Sequence, residues 1–165
     1  MRITTFILFF ICSILNSFAA PVKVGDWTID LTSEYSEAYI YNETRSLFGM
    51  ICYEKCIFYI NPFNISCDEN SKYNMLMNAE NEARALEAEC VKLQNKYIRI
   101  FQDFNVVNNA INESSYIGFA FALQNGQFNV SRFSLNGAQS AIKQTLENAI
   151  KLNNKKNNIN KDTRL

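Results

Sequence analysis

The sequence predicts a mainly β domain, a β-sandwich-like fold stabilised by disulfides, with a C-terminal helix and one further candidate helix. Three observations predict this class. Short runs rich in aromatic and β-branched residues recur along the chain, an Asn-Gly turn separates two such runs, and four cysteines follow an export signal. The chain that follows the signal is long enough for one domain with a sizeable core.

The N-terminal residues 1–19 have the parts of a secretory signal peptide. Arg2 supplies a positive charge, Phe6 to Leu15 form an apolar run, and Ser17-Phe18-Ala19 places small residues at a cleavage site. The apolar run is shorter than the roughly 20 residues that span a bilayer, and no later segment approaches that length. We therefore expect a periplasmic or secreted protein without a transmembrane segment in the mature chain.

The first half of the mature chain resembles a series of short strands. Each run is rich in aromatic or β-branched residues or alternates between apolar and polar positions, as strands do. Asn61-Pro62 ends the fourth run. The predicted strands are Val22–Leu31, Glu37–Asn42, Leu47–Tyr53, Cys56–Ile60 and residues 96–104.

The segment 78–93 fits two structures. Leu86, Ala88 and Cys90 alternate as in a strand, whereas a wider set of apolar residues recurs at helical spacing. Its content of alanine, glutamate and leucine favours a helix, because these residues have high helix propensity. This segment is the further candidate helix.

A hairpin is predicted near the C-terminus, where Asn125-Gly126 favours a tight turn between two strands. A two-residue turn would place Leu123 opposite Phe128 and Phe121 opposite Val130. All four side chains would then face the core.

A helix is predicted after Asn136-Gly137, because apolar residues from Ala138 to Ala149 recur at spacings of three and four. The single β-rich, disulfide-bonded domain is expected to span residues 20–152. The tail 153–165 is rich in asparagine and lysine and nearly devoid of apolar residues, so we expect it to be disordered. Acidic residues outnumber basic ones in residues 20–150, which leaves no basic face for nucleic acid.

Four mature cysteines, Cys52, Cys56, Cys67 and Cys90, allow three disulfide connectivities. Cys52 and Cys56 flank a tight turn between two predicted strands, and facing strand residues lie at disulfide distance. This favours the pairs Cys52–Cys56 and Cys67–Cys90 without excluding the others. A zinc site would need two closely spaced pairs, and thioredoxin-like redox sites have two intervening residues instead of three.

The chain contains no histidine. It therefore lacks the imidazole of Ser-His-Asp and Cys-His nucleophile systems and the commonest metal ligand. Paired carboxylates remain as a route to hydrolysis, although a solvated acidic face is the favoured interpretation of these residues. We predict no catalytic residues, no metal and no cofactor. The two acidic clusters are Asp26, Asp30, Glu34 and Glu37, and Glu80, Glu82, Glu87 and Glu89.

Three tyrosines near the first acidic cluster, Tyr35, Tyr39 and Tyr41, are candidates for a binding surface. Tyrosine offers a large, rigid contact area with a polar tip. The alternative interpretation is that these rings pair with one another across strands.

Two stretches resemble the invasion-associated locus B family of exported bacterial proteins. Gly25-Asp26-Trp27-Thr28-Ile29 resembles the opening strand of that family, and Phe133-Ser134-Leu135-Asn136-Gly137, followed by Ala141-Ile142, resembles its closing segment before a terminal helix. The resemblance implies a periplasmic or secreted β-rich domain with no known catalytic chemistry and a link to host-cell interaction.

From these observations we expect an exported, non-enzymatic binding protein whose partner is a protein or a cell surface. The alternative is a small inhibitor of a secreted hydrolase such as lysozyme, since small disulfide-bonded domains often serve that role. A carboxylate-based hydrolase is the third hypothesis.

Overall fold

The computed structural model describes residues 20–93, 95–123 and 126–162, which form ten strands and two helices. The predicted signal peptide lies outside the described residues. Helix α1 spans Phe104–Glu113, and helix α2 spans Ala138–Asp162. The strands, in chain order, are β1 (Val22–Val24), β2 (Trp27–Leu31), β3 (Ser36–Tyr41), β4 (Leu47–Cys52), β5 (Cys56–Asn61), β6 (Lys72–Ala79), β7 (Ala83–Leu93), β8 (Lys96–Phe101), β9 (Tyr116–Ala122) and β10 (Phe128–Ser134).

All ten strands belong to one antiparallel sheet in the order β1-β2-β3-β4-β5-β8-β7-β6-β9-β10. The sheet is curved, so that strands from its two halves contribute side chains to one core. The Phe48 ring of β4 lies 5.0 Å from that of Phe119 in β9 and 5.4 Å from that of Phe133 in β10, centroid to centroid. The predicted mainly β class is therefore confirmed.

The two helices lie against this core. In α2, the apolar positions that predicted the helix, among them Ala141 and Ile142, are buried against β2 and β3. The Ser36 hydroxyl donates a hydrogen bond to the Thr145 carbonyl over 3.0 Å, which joins α2 to β3. The C-terminal helix is confirmed. It continues through residues 153–162, part of the segment for which composition predicts a disordered tail. Once packing has nucleated a helix, each further residue gains a backbone hydrogen bond that offsets the entropy of fixing it. Within the described residues, no helix is both long and apolar enough to cross a bilayer.

The helix predicted for residues 78–93 is wrong. Strand β7 occupies Ala83–Leu93, and Leu86, Ala88 and Cys90 point inward in alternation. Pairing with β6 on one side and β8 on the other satisfies the backbone, and this tertiary context overrides the helix propensity of the segment. The second helix is α1 instead, which begins after Asp103, whose carboxylate accepts a hydrogen bond from the Val106 amide.

The predicted register of the β9–β10 hairpin is also wrong, by one residue. Phe128 pairs with Ala122 and Val130 with Ala120, so both side chains face outward, 70% and 63% exposed. The Leu123 amide donates to the Gln127 carbonyl, which closes a three-residue loop in which Gly126 has a φ of 79°. Positive φ at the last loop position is typical of three-residue hairpins, and a shift of one residue exchanges the two faces of a strand.

The structure contains the two disulfides that the spacing favoured. Cys52–Cys56 closes the β4–β5 hairpin with a Cα separation of 4.0 Å, and Cys67–Cys90 joins the loop before β6 to β7 over 6.0 Å. Among the described residues, no cluster of three or more potential ligands is placed to hold a metal ion.

Two segments far apart in sequence meet in a contact that we call the N–C latch, formed by residues 24–27 and 134–137. The Ser134 hydroxyl donates to the Asp26 carboxylate over 2.6 Å, and the Asp26 amide donates to the Asn136 carbonyl over 3.0 Å. Trp27 donates its indole N–H to the Ser134 carbonyl, also over 3.0 Å. The turn at Gly25 therefore divides the single predicted strand Val22–Leu31 into β1 and β2.

Candidate functional site

The face of the sheet that points away from the main core carries a cleft over β3, β4 and β5. Ala38 and Ile40 of β3 are buried in the core, so the alternation of a strand turns Tyr39 and Tyr41 to the opposite face. A third tyrosine, Tyr35, lies just before β3 and lines the same cleft. The structure thus brings together all three tyrosines that the sequence indicated.

The cleft has a volume of about 230 Å³. Two further tyrosines, Tyr53 and Tyr59, also line it, and we call it the tyrosine cleft. A small apolar cluster, separate from the main core, forms its floor. The remaining lining residues are Asp30, Glu37, Leu47, Ile51, Asn61, Leu93, Lys96 and Ile98.

Gly49 of β4 is paired with two tyrosines of the cleft. It lies between Tyr39 of β3 and Tyr59 of β5 in one cross-strand row, and it leaves this row without a side chain at its centre. A Cβ atom at this position would lie 2.5 Å from the Ala38 carbonyl oxygen and 2.9 Å from Tyr39 Cβ. The close approach of β3 therefore requires glycine, and the tyrosine rings flank the space that results.

Two carboxylates enter the cleft side by side. Asp30 of β2 and Glu37 of β3 are directly paired in the sheet, which places their Cα atoms about 5 Å apart. The Tyr59 hydroxyl donates to Glu37 Oε1 over 2.5 Å, and the Tyr35 hydroxyl donates to Asp30 Oδ2 over 3.4 Å. Each carboxylate is thus held by a tyrosine of the same cleft.

Removal from water dominates the electrostatics of this cleft. Burial raises the pKa of Glu37, and the hydrogen bond from Tyr59 opposes that shift. Burial also raises the pKa of Tyr59 far above its ordinary value, with a further contribution from the negative charge of Glu37. For Tyr35, burial followed by the charges of Asp30 and Glu37 raises the pKa to about 12. All three effects disfavour additional negative charge in the cleft.

The tyrosine rings also contact each other. Tyr39 and Tyr41 meet edge to face with 5.8 Å between centroids, and Tyr35 lies 5.5 Å from Tyr53. Ring pairing therefore does occur, but Tyr39 and Tyr41 pair along the single strand β3 and not across strands. It leaves Tyr41 57% exposed at the rim, so a paired ring remains accessible to a partner.

The other acidic residues named from the sequence lie elsewhere. Asp26 belongs to the N–C latch, and Glu34 does not line the cleft. In the second cluster, Glu82 pairs with Arg84 and Glu87 with Lys72 at exposed positions. These exposed ion pairs support the interpretation of this cluster as a solvated face.

No protein-family model and no curated protein matches the sequence. The structure is similar to the crystal structure of invasion associated protein B from Bartonella henselae, with a TM-score of 0.57 and 12% sequence identity. The similarity covers 78% of this chain and 97% of that chain. The molecule is therefore a mainly β, disulfide-bonded domain that shares the fold of invasion associated protein B.

Proposed function

We propose that this chain is an exported, non-enzymatic binding protein, a distant relative of the invasion-associated locus B family, that engages a protein or a cell surface through the tyrosine cleft. The observation that carries the proposal is the convergence of five tyrosines and two carboxylates in one cleft on the sheet surface. Rigid aromatic rings with polar tips are the residues that binding surfaces favour.

Export is supported by the signal-like sequence of residues 1–19 and by two disulfides in a chain of this size. Disulfides persist in oxidising compartments and are rare in the cytosol. The name of the structural neighbour describes an invasion-associated protein, and this supports a role in host interaction for the present chain.

The charge of the cleft indicates which part of a partner it would accept. Asp30 and Glu37 face a single basic residue, Lys96, so the cleft carries an acidic excess. An ammonium or guanidinium group at the rim would meet both carboxylates and the faces of the tyrosine rings, which attract cations. We therefore expect the partner to present a lysine or arginine side chain to the cleft.

Two paired carboxylates also support the hydrolase hypothesis, because glycoside cleavage requires two acids at a set distance. Against this role, the Glu37 carboxylate is occupied by the Tyr59 hydroxyl and that of Asp30 by the Tyr35 hydroxyl. These hydrogen bonds favour a binding surface over a catalytic pair.

The test measures binding of the purified, disulfide-intact protein to host-cell surfaces and to envelope extracts, followed by the affinity for the retained partner. Tyr41→Ala should weaken that affinity at least tenfold, a loss of about 1.4 kcal/mol, because it removes an exposed ring at the rim. The matched control is Phe128→Ala, which removes an exposed aromatic ring of β10 that does not line the cleft.

Three results would contradict the proposal. Equal loss of affinity in both variants would place the binding surface outside the cleft. Turnover of a glycan or peptide substrate that Glu37→Gln abolishes would show an enzyme. Stoichiometric inhibition of lysozyme or another secreted hydrolase would identify an inhibitor.

A further inference from the structure

The structure buries an arginine without a counter-ion. Arg99 of β8 is 1% exposed, on the side of the sheet opposite the tyrosine cleft. No carboxylate within the described residues pairs with it. A buried charge is normally paired, because removal of an ion from water carries a penalty of several kcal/mol even in real proteins. Arg99 is therefore an exception that requires an explanation.

Neutral groups hold the Arg99 guanidinium in place. It donates to the Ile65 carbonyl over 3.3 Å and to the Ser66 carbonyl over 2.8 Å, while its Nε–H has no hydrogen-bond partner in the structure. The rings of Tyr73 and Phe121 each lie 5.1 Å from its central carbon. Two carbonyls use two of five N–H donors, so the group retains hydrogen-bonding capacity.

A cavity of about 460 Å³ lies beside this arginine. Arg99, Tyr73 and Phe121 form part of its wall, and the segment 64–68 together with Ala122 and Leu123 forms the rest. The Cys67–Cys90 disulfide anchors this segment, and Cys90 is paired directly with Arg99 in the β7–β8 ladder. The cation and the carbonyls that orient it are thus fixed to the same strand pair.

We propose that this cavity, which we call the Arg99 cavity, binds the carboxylate of a small organic acid or of a peptide C-terminus. The planar guanidinium fork matches the two oxygens of a carboxylate, and such a ligand would neutralise the one buried cation that lacks an acidic partner in the described part of the chain. Phe121, Leu123 and Ile65 offer apolar wall to the body of the ligand. Asp68 in the same wall disfavours a doubly charged phosphate, so a singly charged group fits better.

The experiment is an NMR titration that observes the Arg99 Nε–Hε resonance in the full, disulfide-intact protein. Hexanoate is the probe, and hexanamide is the uncharged control of the same shape. Sulfate reports on anions in general. A short peptide that ends in a free leucine carboxylate, compared with its C-terminal amide, distinguishes a chain end from a free acid. Hexanoate or the free peptide should shift this resonance saturably, whereas hexanamide, the peptide amide and sulfate should not.

Variants provide the second measurement. Arg99→Lys retains the charge but loses the fork, and it should weaken carboxylate binding at least tenfold. Arg84→Lys makes the same exchange at an exposed site on β7 and should leave binding unchanged. If Arg99→Lys does not fold, the titration of the unsubstituted protein alone decides.

Three outcomes would overturn the proposal. An Arg99 resonance that no carboxylate shifts would show a purely structural arginine. A shift that hexanamide reproduces would show an apolar cavity without charge recognition, and a shift that sulfate reproduces at equal concentration would show a site for anions in general. None of these outcomes contradicts binding of a partner in the tyrosine cleft, so the two proposals are tested independently.

Discussion

Glu37 shows at the scale of one residue how the tyrosine cleft holds charge. Its carboxylate lies in a cleft lined mostly by rings and aliphatic side chains, and the acceptor capacity of one oxygen is met by Tyr59. Burial penalises the ionised form more than the hydrogen bond favours it, which is why the pKa of Glu37 rises above its ordinary value. The folded protein consequently binds a proton there more tightly than the unfolded chain does.

This difference makes stability depend on pH in a defined direction. The contribution of Glu37 to the free energy of unfolding is fully present below its unfolded pKa of about 4.3 and is lost as pH rises through its higher folded pKa. Glu37→Gln keeps an acceptor for Tyr59 but carries no charge. We expect it to be more stable than the unsubstituted protein at pH 7 and to show a flatter profile above pH 4.

Urea unfolding at a series of pH values measures this effect. The matched control is Glu34→Gln, which neutralises an exposed carboxylate nearby on the chain. If both variants change the profile equally, the pH dependence does not come from burial of Glu37.

Part of the cleft is predictable from the sequence at the residue scale. The alternation through Tyr39 and Tyr41 showed that these two side chains share one face, because that follows from local strand geometry alone. Tyr59 joins them only through the register that places Gly49 between Tyr39 and Tyr59. Register is a long-range property of the sheet, and the sequence of one strand does not determine it.

At the scale of elements, the two disulfides should contribute unequally. The Cys67–Cys90 bond closes a loop with a sequence separation of 23, and the Cys52–Cys56 bond closes one of 4. In the chain-entropy model, these restrict the unfolded chain by about 3 and about 2 kcal/mol. Replacing Cys67 and Cys90 together by alanine should therefore lower the free energy of unfolding more than replacing Cys52 and Cys56 together.

Denaturant unfolding of the two double variants makes the comparison. A larger loss on removal of the Cys52–Cys56 bond would contradict it and would indicate that this short ring stabilises the native hairpin directly. Because Cys90 faces Arg99 across the ladder, the Arg99 Nε–Hε signal gives an independent view of the longer loop.

Elements were predicted well where local pattern and final environment agree. The C-terminal helix and the paired strands β4 and β5 are of this kind. The segment that became β7 has helix-forming composition, and only its two neighbouring strands determine its structure. Helix α1 is harder to predict, because its asparagines and adjacent valines have low helix propensity and its cap, Asp103, is a single residue. In the β9–β10 hairpin, Asn125-Gly126 predicts a two-residue turn, whereas the observed register requires a loop one residue longer.

At the scale of the whole molecule, two glycines allow the N–C latch to close. Gly25 and Gly137 both have positive φ, and a Cβ on Gly137 would lie only 2.1 Å from the Val24 carbonyl oxygen. Gly137→Ala should therefore destabilise the protein for two reasons, namely backbone strain and the collision. We expect a loss of about 1 to 3 kcal/mol, the range for overpacked sites.

Gly126 supplies the matched control, since its φ of 79° is similar but a Cβ there would meet nothing within 4 Å. Gly126→Ala should carry only the backbone strain. Thermal unfolding measures the loss of stability in each variant, and the difference between the two losses is the cost of the collision. Equal losses would show that close approach of the backbones contributes nothing to the latch.

The latch also explains in physical terms why a resemblance was visible in a chain of such low overall similarity. Both stretches that resemble the invasion-associated locus B family, at Gly25-Asp26-Trp27 and Ser134-Leu135-Asn136-Gly137, form this contact. Backbone approach and side-chain hydrogen bonds restrict which residues fit there. No short sequence motif indicates the order of the central strands, β5-β8-β7-β6-β9, so this order could not be predicted.

The latch has a consequence for how the polypeptide is made. Trp27 and the carbonyl that accepts its indole N–H are separated by 107 positions, so the acceptor is synthesised long after the donor. Strands β9 and β10, which complete the core around Phe48, emerge equally late. Until β9 and β10 have been synthesised, the nascent chain has none of the contacts that bury its first strands against its last. Completion of the fold must therefore await these two strands.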